Sequence, residues 1–479
     1  MMMKSFKNIF TAVGLGLLLL SVMSCSKWLD VQPKDKVTEE QLYSTPDGIA
    51  EALNGIYLDM GKSKLYGANL TGTTLDIFGQ CYNVGALHNL TKYQTYTYND
   101  EKVQKTLDLI WTSAYIDVVN VNKFIQNLDT YRGVLDTKSA SLLKGEAYAL
   151  RAYLQFDLLR MYGPIYATAD SLKMAIPYYT KAGTDVSEIL PANKVMSLIV
   201  SDLKTAETLL ADDPVRTRGV NPPTSTGTIN FLTTGRNYRL NYFAVKGLQA
   251  RVYLYRGDKV SALTAAKEVI DNAVKFPWIT TAKILNDKAN PDRVFSTELL
   301  FGLMSLDMYD NYRDYFSPDL VESQILAPSD ARLKSTFENN ENDYRYNPMW
   351  LLTGIGGKNY RTFFKYADIP EKSYVYRYTL PLIRLSEMYY IAAESEGNVT
   401  YLNIVRNKRN LTDLPVTAVL ATELQKEYQK EFFGEGQLWY FYKRKNLAAI
   451  PNPLTINGTI TMNATKYVFP LPLSEIAPR

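Results

Sequence analysis

Apolar residues return every three or four positions along several long stretches of this chain. Between Val103 and Leu128 the stripe is Leu107, Ile110, Ala114, Val118 and Val121. Ala147, Leu150, Leu154, Leu158 and Met161 form a second stripe, which Gly163-Pro164 stops. A third follows Pro191, with Leu198, Leu203, Ala206 and Leu209 on one face. Leu240 to Tyr255 and Ala262 to Ala273 keep the same period on either side of Gly257-Asp258. Spacing of this kind predicts amphipathic helices. Start signals agree: Thr38-Glu39-Glu40-Gln41 reads as a capping box, and Thr45 precedes a proline at the first helical position. Helices are expected again from Pro381 to about Lys445, and a β-like run at Tyr467-Val468-Phe469.

Two stretches lack the period. Residues 61–100 are rich in Gly, Asn, Thr and Tyr and read as a long loop region, the kind that is usually functional. Residues 275–380 carry Pro277, Pro291, Pro318, Pro328, Pro348, Pro370 and a Gly354/Gly356/Gly357 cluster, which disfavour long helices. Ala250, Tyr253 and Ala262 fall at the small, aromatic and small positions of a tetratricopeptide unit. The expected fold is therefore mostly α. It is a degenerate TPR-like helical-repeat scaffold of about four units that bury their faces by stacking, with long irregular loops and few short strands.

The first residues carry a different signal. Lys4 and Lys7 precede an apolar run from Ile9 to Val22, then Met23-Ser24-Cys25. A basic start, a short apolar stretch and a small residue at the cut are the layout of a secretory signal. With a cysteine at the cut it resembles a bacterial lipoprotein box, although Met23 is larger than the usual small residue. The run is shorter than the ~20 apolar residues a membrane span needs. Residues 1–24 are expected to be a lipoprotein signal peptide, Cys25 the lipidated residue and 25–36 a lipid-anchored tether. Ser26, where an aspartate would otherwise stand, resembles lipoproteins bound for the outer membrane.

Composition narrows the chemistry. Loss of Lys4 and Lys7 lowers the formal charge of the 479-residue chain from +4 to +2, so no basic nucleic-acid surface is expected. Beside Cys25 there is only Cys81, read as a small buried thiol. One histidine, His88, argues against histidine-rich metal sites and most Ser-His-Asp triads. No cofactor motif is present, and no cofactor or metal is expected. The 36 tyrosines and 5 tryptophans suit cores, interfaces and sugar platforms alike.

Several segments in order resemble the SusD/RagB family of surface lipoproteins. They are Trp28-Leu29-Asp30; Trp111-x-x-x-Tyr115 with Asn120 and Asn122; Gly145-Glu146-Ala147 with Arg151; Tyr162-Gly163-Pro164; and Ala250-Arg251-Val252-Tyr253. Further on come Asp330-x-Arg332, Pro381-Leu382-Ile383-Arg384-Leu385-Ser386-Glu387, Ala393-Glu394, Leu402-Asn403-x-x-Arg406, Glu431-Phe432 through Glu435-Gly436, Trp439 and Phe469-Pro470-Leu471-Pro472. Lys443-Arg444 departs from the usual arginine spacing after Trp439. The resemblance implies an N-terminal helical part over 37–274 and a C-terminal part over 275–479. It also implies an outer-membrane lipoprotein that binds an oligosaccharide nutrient and delivers it to a SusC-like TonB-dependent transporter. A peptide ligand, as in RagB-like relatives, is the alternative, and a plain helical-repeat adaptor is a third reading.

Most motif polar residues are expected to hold the scaffold: Glu146, Arg151, Arg384, Glu387, Glu394, Glu435 and Trp439, with Arg384 and Glu387 spaced to pair on one helix. Ligand contact is expected from aromatic and amide groups in the loops, namely Tyr82, Tyr96, Tyr98, Asn99, Trp278, Tyr309 and Trp350. Glu427, Glu431 and Glu435 recur every four residues and read as a solvated acidic stripe beside Lys426 and Lys430, not as a glycosidase pair. No catalytic residue is assigned, and the chain is expected not to be an enzyme.

Overall fold

The computed structural model describes residues 38–476 except 168, 184 and 221–229. The signal peptide, Cys25 and the tether to residue 36 lie outside the described residues. Helices of eight residues or more are labelled in order: α1 (Pro46–Met60), α2 (Glu101–Thr130), α3 (Thr137–Tyr162), α4 (Ala192–Leu209), α5 (Tyr242–Arg256), α6 (Lys259–Ile270), α7 (Met308–Tyr315), α8 (Leu385–Glu396), α9 (Thr400–Lys408), α10 (Leu420–Glu431) and α11 (Gln437–Arg444).

Local chemistry explains the starts and stops. Thr38 and Gln41 form the reciprocal capping box, and Thr45 accepts the Gly48 N–H ahead of α1. Asp100 and Asp136 cap α2 and α3, each through two backbone N–H groups. Asn241 caps α5; Gly257, at φ +87°, ends it; Asp258 caps α6 immediately afterwards. Ala250, Ala262 and Ala266 are fully buried, so this hairpin closes on small side chains.

The helices α1 to α6, then α8 and α9, pack each on the next in that order. This is the stacked, mostly α, TPR-like scaffold expected. Helix α3 is its axis, buried on nearly every face from Leu142 to Tyr162 because α2 and α4 flank it. Full burial of a leucine side chain such as Leu150, Leu154 or Leu158 stabilises by ~1.5–3 kcal/mol. Its C-terminal carbonyls are answered from far along the chain. Lys443 Nζ donates to Met161 O and Gly163 O at 3.0 and 2.7 Å, and the Phe469 N–H donates to Met161 O.

Four two-stranded antiparallel sheets complete the described residues: β1 (Met174–Pro177) with β2 (Ile189–Pro191), β3 (Leu299–Met304) with β6 (Thr379–Arg384), β4 (Trp350–Leu351) with β5 (Thr362–Phe363), and β7 (Ala449–Pro451) with β8 (Thr459–Thr461). The second is central, with Leu303 opposite Leu380 and Met304 opposite Thr379.

Two expectations are corrected and one is refined. Residues 61–100 are mostly turns, with short helices at Thr74–Phe78 and Thr91–Gln94, yet Leu65, Tyr66, Leu70, Leu75, Phe78 and Tyr82 are core residues. The segment folds through tight turns, such as Tyr66 N–H to Met60 O and Leu70 N–H to Leu65 O, and these satisfy its backbone without a helical period. The stretch 379–384 is strand, and the helix begins only at Leu385; Pro381 sits opposite Gly302 in an irregular part of the ladder. Tyr467 ends a short helix, Ala464–Tyr467, so Tyr467-Val468-Phe469 is not a strand; the strand near this end is β8.

Candidate functional site

A set of buried ion pairs fixes the scaffold. Arg151 grips Asp202 with two bonds of 2.7 Å and donates to Asn122 Oδ1, whose amide holds Tyr179 O and Lys181 O. Arg444 forks onto Glu394 at 2.7 Å through both nitrogens, so the altered arginine spacing still closes a pair. Trp439 is buried against Phe469. Arg384 and Glu387 do not pair, although three apart. Arg384 precedes α8 and reaches Glu431 and Glu435, whereas Glu387 takes Arg251 at 2.7 and 2.6 Å.

The acidic stripe is likewise not solvated. Glu427, Glu431 and Glu435 are buried, and α10 ends at Glu431. Glu427 meets Arg345, Arg406 and Lys430; Glu431 meets Arg345, Arg384 and Arg409; Glu435 meets Lys365 and Arg384. Burial alone would raise the Glu427 pKa, but Arg345 and Lys430 bring it to about 2. Every one of these carboxylates is committed to cations.

The aromatic candidates divide. Tyr82, Tyr96 and Trp350 are core side chains, so the expected ligand contact does not hold for their rings. Trp350 lies 4.8 Å from Phe363 and 4.7 Å from Phe433, and is 1% exposed. Tyr82 donates to Gly72 O and Tyr96 to Phe78 O, which satisfies both hydroxyls internally. Tyr98 is half-buried between Phe78 and Phe469, its hydroxyl donating to Lys466 O. Trp278 is half-buried against Tyr389, and Tyr309 against Tyr378 with its hydroxyl on Arg377 O. Asn99 is exposed on the turn before α2.

A groove of about 750 Å³ lies among the described residues, and none of these seven lines it. Its walls are ends of short turns: Val215–Arg218, Arg236–Tyr238, Ala273–Lys275, Ser296–Glu298 and Val375–Tyr378. Gly219 (φ +71°) and Gly235 (φ +58°) supply the left-handed corners beside the first two.

Buried charges hold these turns in place. Arg236 forks onto Asp213 at 3.1 and 2.7 Å and also reaches Glu146, tying the Arg236–Tyr238 turn to α3. Asp213 further accepts the Val215 and Tyr242 N–H groups. Glu298 is gripped by Arg409 and accepts the Ile279 N–H at 3.0 Å. The motif residue Glu146 thus acts as a support beneath the groove.

The lining combines three kinds of group. Tyr376 stacks on Tyr374 with centroids 5.1 Å apart and planes at 28°. Its phenol, raised above its ordinary pKa by burial and by Asp292, stays protonated and donates to Asn290 O. Asn237 Oδ1 and Thr297 Oγ1 are buried with no hydrogen-bond partner among the described residues. Lys275, Lys283 and Arg218 stand along the sides. No carboxylate, imidazole or thiol is among the lining residues. Sequence reasoning missed Asn237, Thr297 and Tyr376. Only the Tyr374-x-Tyr376 repeat within the irregular stretch offered a signal.

Two family models match in chain order, one described as starch-binding associating with outer membrane over residues 27–230, the other as SusD family over 329–476. The SusD-like protein P2 of Formosa agariphila is 24% identical, the match covering 99% of this chain and 97% of that protein. A SusD superfamily protein from Bacteroides thetaiotaomicron superposes with a TM-score of 0.68 at 22% identity, over 90% of this chain and 97% of the other. A laminarin-binding SusD-like protein superposes with a TM-score of 0.63 at 17% identity, over 90% and 97%. With both models and the full-length likeness in agreement, the chain belongs to the SusD/RagB family.

Proposed function

We propose that this chain is an outer-membrane surface lipoprotein that captures an oligosaccharide and passes it to a SusC-like TonB-dependent transporter, without itself catalysing a reaction. The observation that carries the binding part is the groove over Tyr376, with unpartnered Asn237 Oδ1 and Thr297 Oγ1. A sugar ring has an apolar C–H face and a rim of hydroxyls. A tyrosine face suits the first, and unsatisfied acceptors and hydroxyls suit the second. The likeness to a laminarin-binding protein and the outer-membrane wording of the family model support the same reading. No helix of the described residues is long and apolar enough to cross a membrane, which is compatible with attachment through Cys25.

The absence of any carboxylate, imidazole or thiol from the groove lining, and the full commitment of Glu427, Glu431 and Glu435 to cations, support binding without turnover.

A glycan array probed with the purified chain tests the reading, together with Tyr376→Ala and Asn237→Ala. Binding to at least one oligosaccharide is expected, weakened by both substitutions, with the sugar recovered unhydrolysed. Retention by a peptide library with no glycan bound would replace the sugar by a peptide. Palmitate incorporation lost in Cys25→Ser tests the anchor, and co-purification of a TonB-dependent transporter tests the partner.

A further inference from the structure

We propose that the groove selects a negatively charged oligosaccharide, one whose rings carry carboxylate or sulfate groups. The proposal rests on the reading above and names the ligand class.

The charges along the groove are one-sided. Lys275, Lys283 and Arg218 line it and no carboxylate does. None of the three makes an ion pair among the described residues. Lys275 Nζ donates to the neutral amide of Asn272 at 2.7 Å and lies 5.6 Å from the Phe243 ring centroid. Lys283 Nζ lies 5.8 Å from the Tyr374 ring centroid, beside the tyrosine stack. Two carboxylates act on Tyr376, and neither lines the groove. Asp292 is buried and bonded to Ser296, and Asp287 accepts the Asn290 N–H and amide.

The contrast is with the Glu427–Glu431–Glu435 cluster, where each buried carboxylate is met by arginines or lysines. Three cations left facing one concavity raise the local concentration of anions and favour a ligand that brings its own negative charge. The uncharged groups narrow the class further. Asn237 Oδ1 can only accept, so it calls for a ligand hydroxyl or N–H, while Thr297 Oγ1 serves either way. The Tyr374/Tyr376 stack offers a flat face at the rim. Hydroxyl donors, a C–H face and anionic substituents on one molecule describe an acidic oligosaccharide. A neutral glucan would leave the cations unanswered.

The test is isothermal titration of the purified chain with paired probes. One pair is an oligogalacturonate and its fully methyl-esterified form, which share a backbone and differ in charge. The other is a sulfated galactan oligosaccharide and its desulfated form. At least one charged member is expected to bind about tenfold or more tighter than its neutral partner, with affinity falling as salt rises. Whichever pair shows the difference tells carboxylate from sulfate. Lys275→Gln and Lys283→Gln are each expected to remove most of that preference, Lys283→Arg to keep it, and Lys138→Gln, exposed on α3 away from the groove, to leave it unchanged. These lysines are not core residues, so melting temperatures should match the parent chain.

Equal affinity for charged and neutral members, with Tyr376→Ala still weakening both, would overturn the charge preference and leave oligosaccharide capture standing. Charged preference unaffected by either glutamine variant would overturn the groove as its source. No binding to any glycan, on these probes or an array, would remove the oligosaccharide reading and this inference together.

Discussion

Arg409 and Glu298 meet fork to fork: two guanidinium nitrogens donate to the two carboxylate oxygens at 2.8 and 2.7 Å, and neither side chain is exposed. Arg409 also donates to Glu431, which in turn receives Arg345 and Arg384. Removing one member of such a buried set leaves an uncompensated charge, at a cost of ~3–5 kcal/mol. Glu298→Gln and Glu431→Gln are therefore expected to lower stability by roughly that amount, measured from urea midpoints at constant slope. Because Glu298 also holds the Ile279 N–H beside the groove, its variant should lose ligand affinity as well. A loss below ~1 kcal/mol for Glu431→Gln would mean the cluster relaxes or admits water.

Trp350 is the clearest case of a ring that belongs to the core. Truncating a buried tryptophan removes its contacts and leaves a cavity, at ~3–5 kcal/mol. Trp350→Ala is expected to unfold at markedly lower urea while the folded fraction binds ligand as the parent does. Asn99→Ala, exposed, should change stability by no more than ~0.5 kcal/mol. Thermal unfolding followed by circular dichroism, alongside titration of each variant, separates the two effects.

The helical stripes were legible because each is local: the spacing of Leu150, Leu154 and Leu158, and the Gly257-Asp258 turn, carry their own geometry. The burial of Leu65 to Tyr82 within residues 61–100 was not legible. That segment satisfies its buried polar groups partly within itself, as in Tyr82 on Gly72 O, and partly from distant residues, as in Tyr66 on Asp157, so a composition typical of surface fills the core. The same blindness hid the charge cluster. A glutamate four residues from the next looks solvated until its arginines arrive from 22 to 86 positions away. The groove is assembled from six separated short elements, the five turns and Ala282–Asn286 with Lys283, none with a period of its own.

Gly434 and Gly436 form a cradle for Asp76. Both are left-handed, at φ +80° and +71°, and their N–H groups donate to the two Asp76 oxygens at 2.7 and 2.9 Å. A Cβ at Gly436 would stand 2.2 Å from Leu70 O, a backbone atom that cannot swing away. Left-handed backbone alone costs a side chain ~1–2 kcal/mol, and the overlap adds to it. Gly436→Ala is expected to lose more than ~2 kcal/mol. Gly55→Ala, inside α1 with nothing within 4 Å of the added carbon, should gain ~0.5–1 kcal/mol. Paired denaturation curves of the two variants check both signs at once.

His88 gives the chain a pH dependence of known sign. The Leu90 N–H donates to Nδ1 at 3.1 Å, so that nitrogen carries the lone pair, and Nε2–H donates to Ile325 O at 3.1 Å. A second ring proton would face the Leu90 N–H. Burial, the main cause, lowers the imidazole pKa below 6.5, with the charge of Lys102 adding to it against the pull of the Ile325 and Gln324 carbonyls. Below pH 6.5 the unfolded chain takes up a proton at His88 that the folded chain refuses. The contribution of this residue is complete above that pH and is lost as pH falls through the lowered folded value. Buried Asp76 and Asp117, raised to about 8, and Asp292, raised to about 6, act in the opposite sense, since the folded chain keeps protons there that the unfolded chain has released. The histidine is therefore read as a difference from His88→Gln, which cannot titrate. Urea midpoints taken from pH 7.5 to 5 should show the parent losing stability relative to that variant below pH 6.5. A difference that stays constant across the range would mean the folded ring takes up its proton at the same pH as the unfolded chain, and a parent that gains stability on the variant as pH falls would mean the ring is already charged in the fold; either would overturn the neutral ring assigned from the Leu90 and Ile325 bonds.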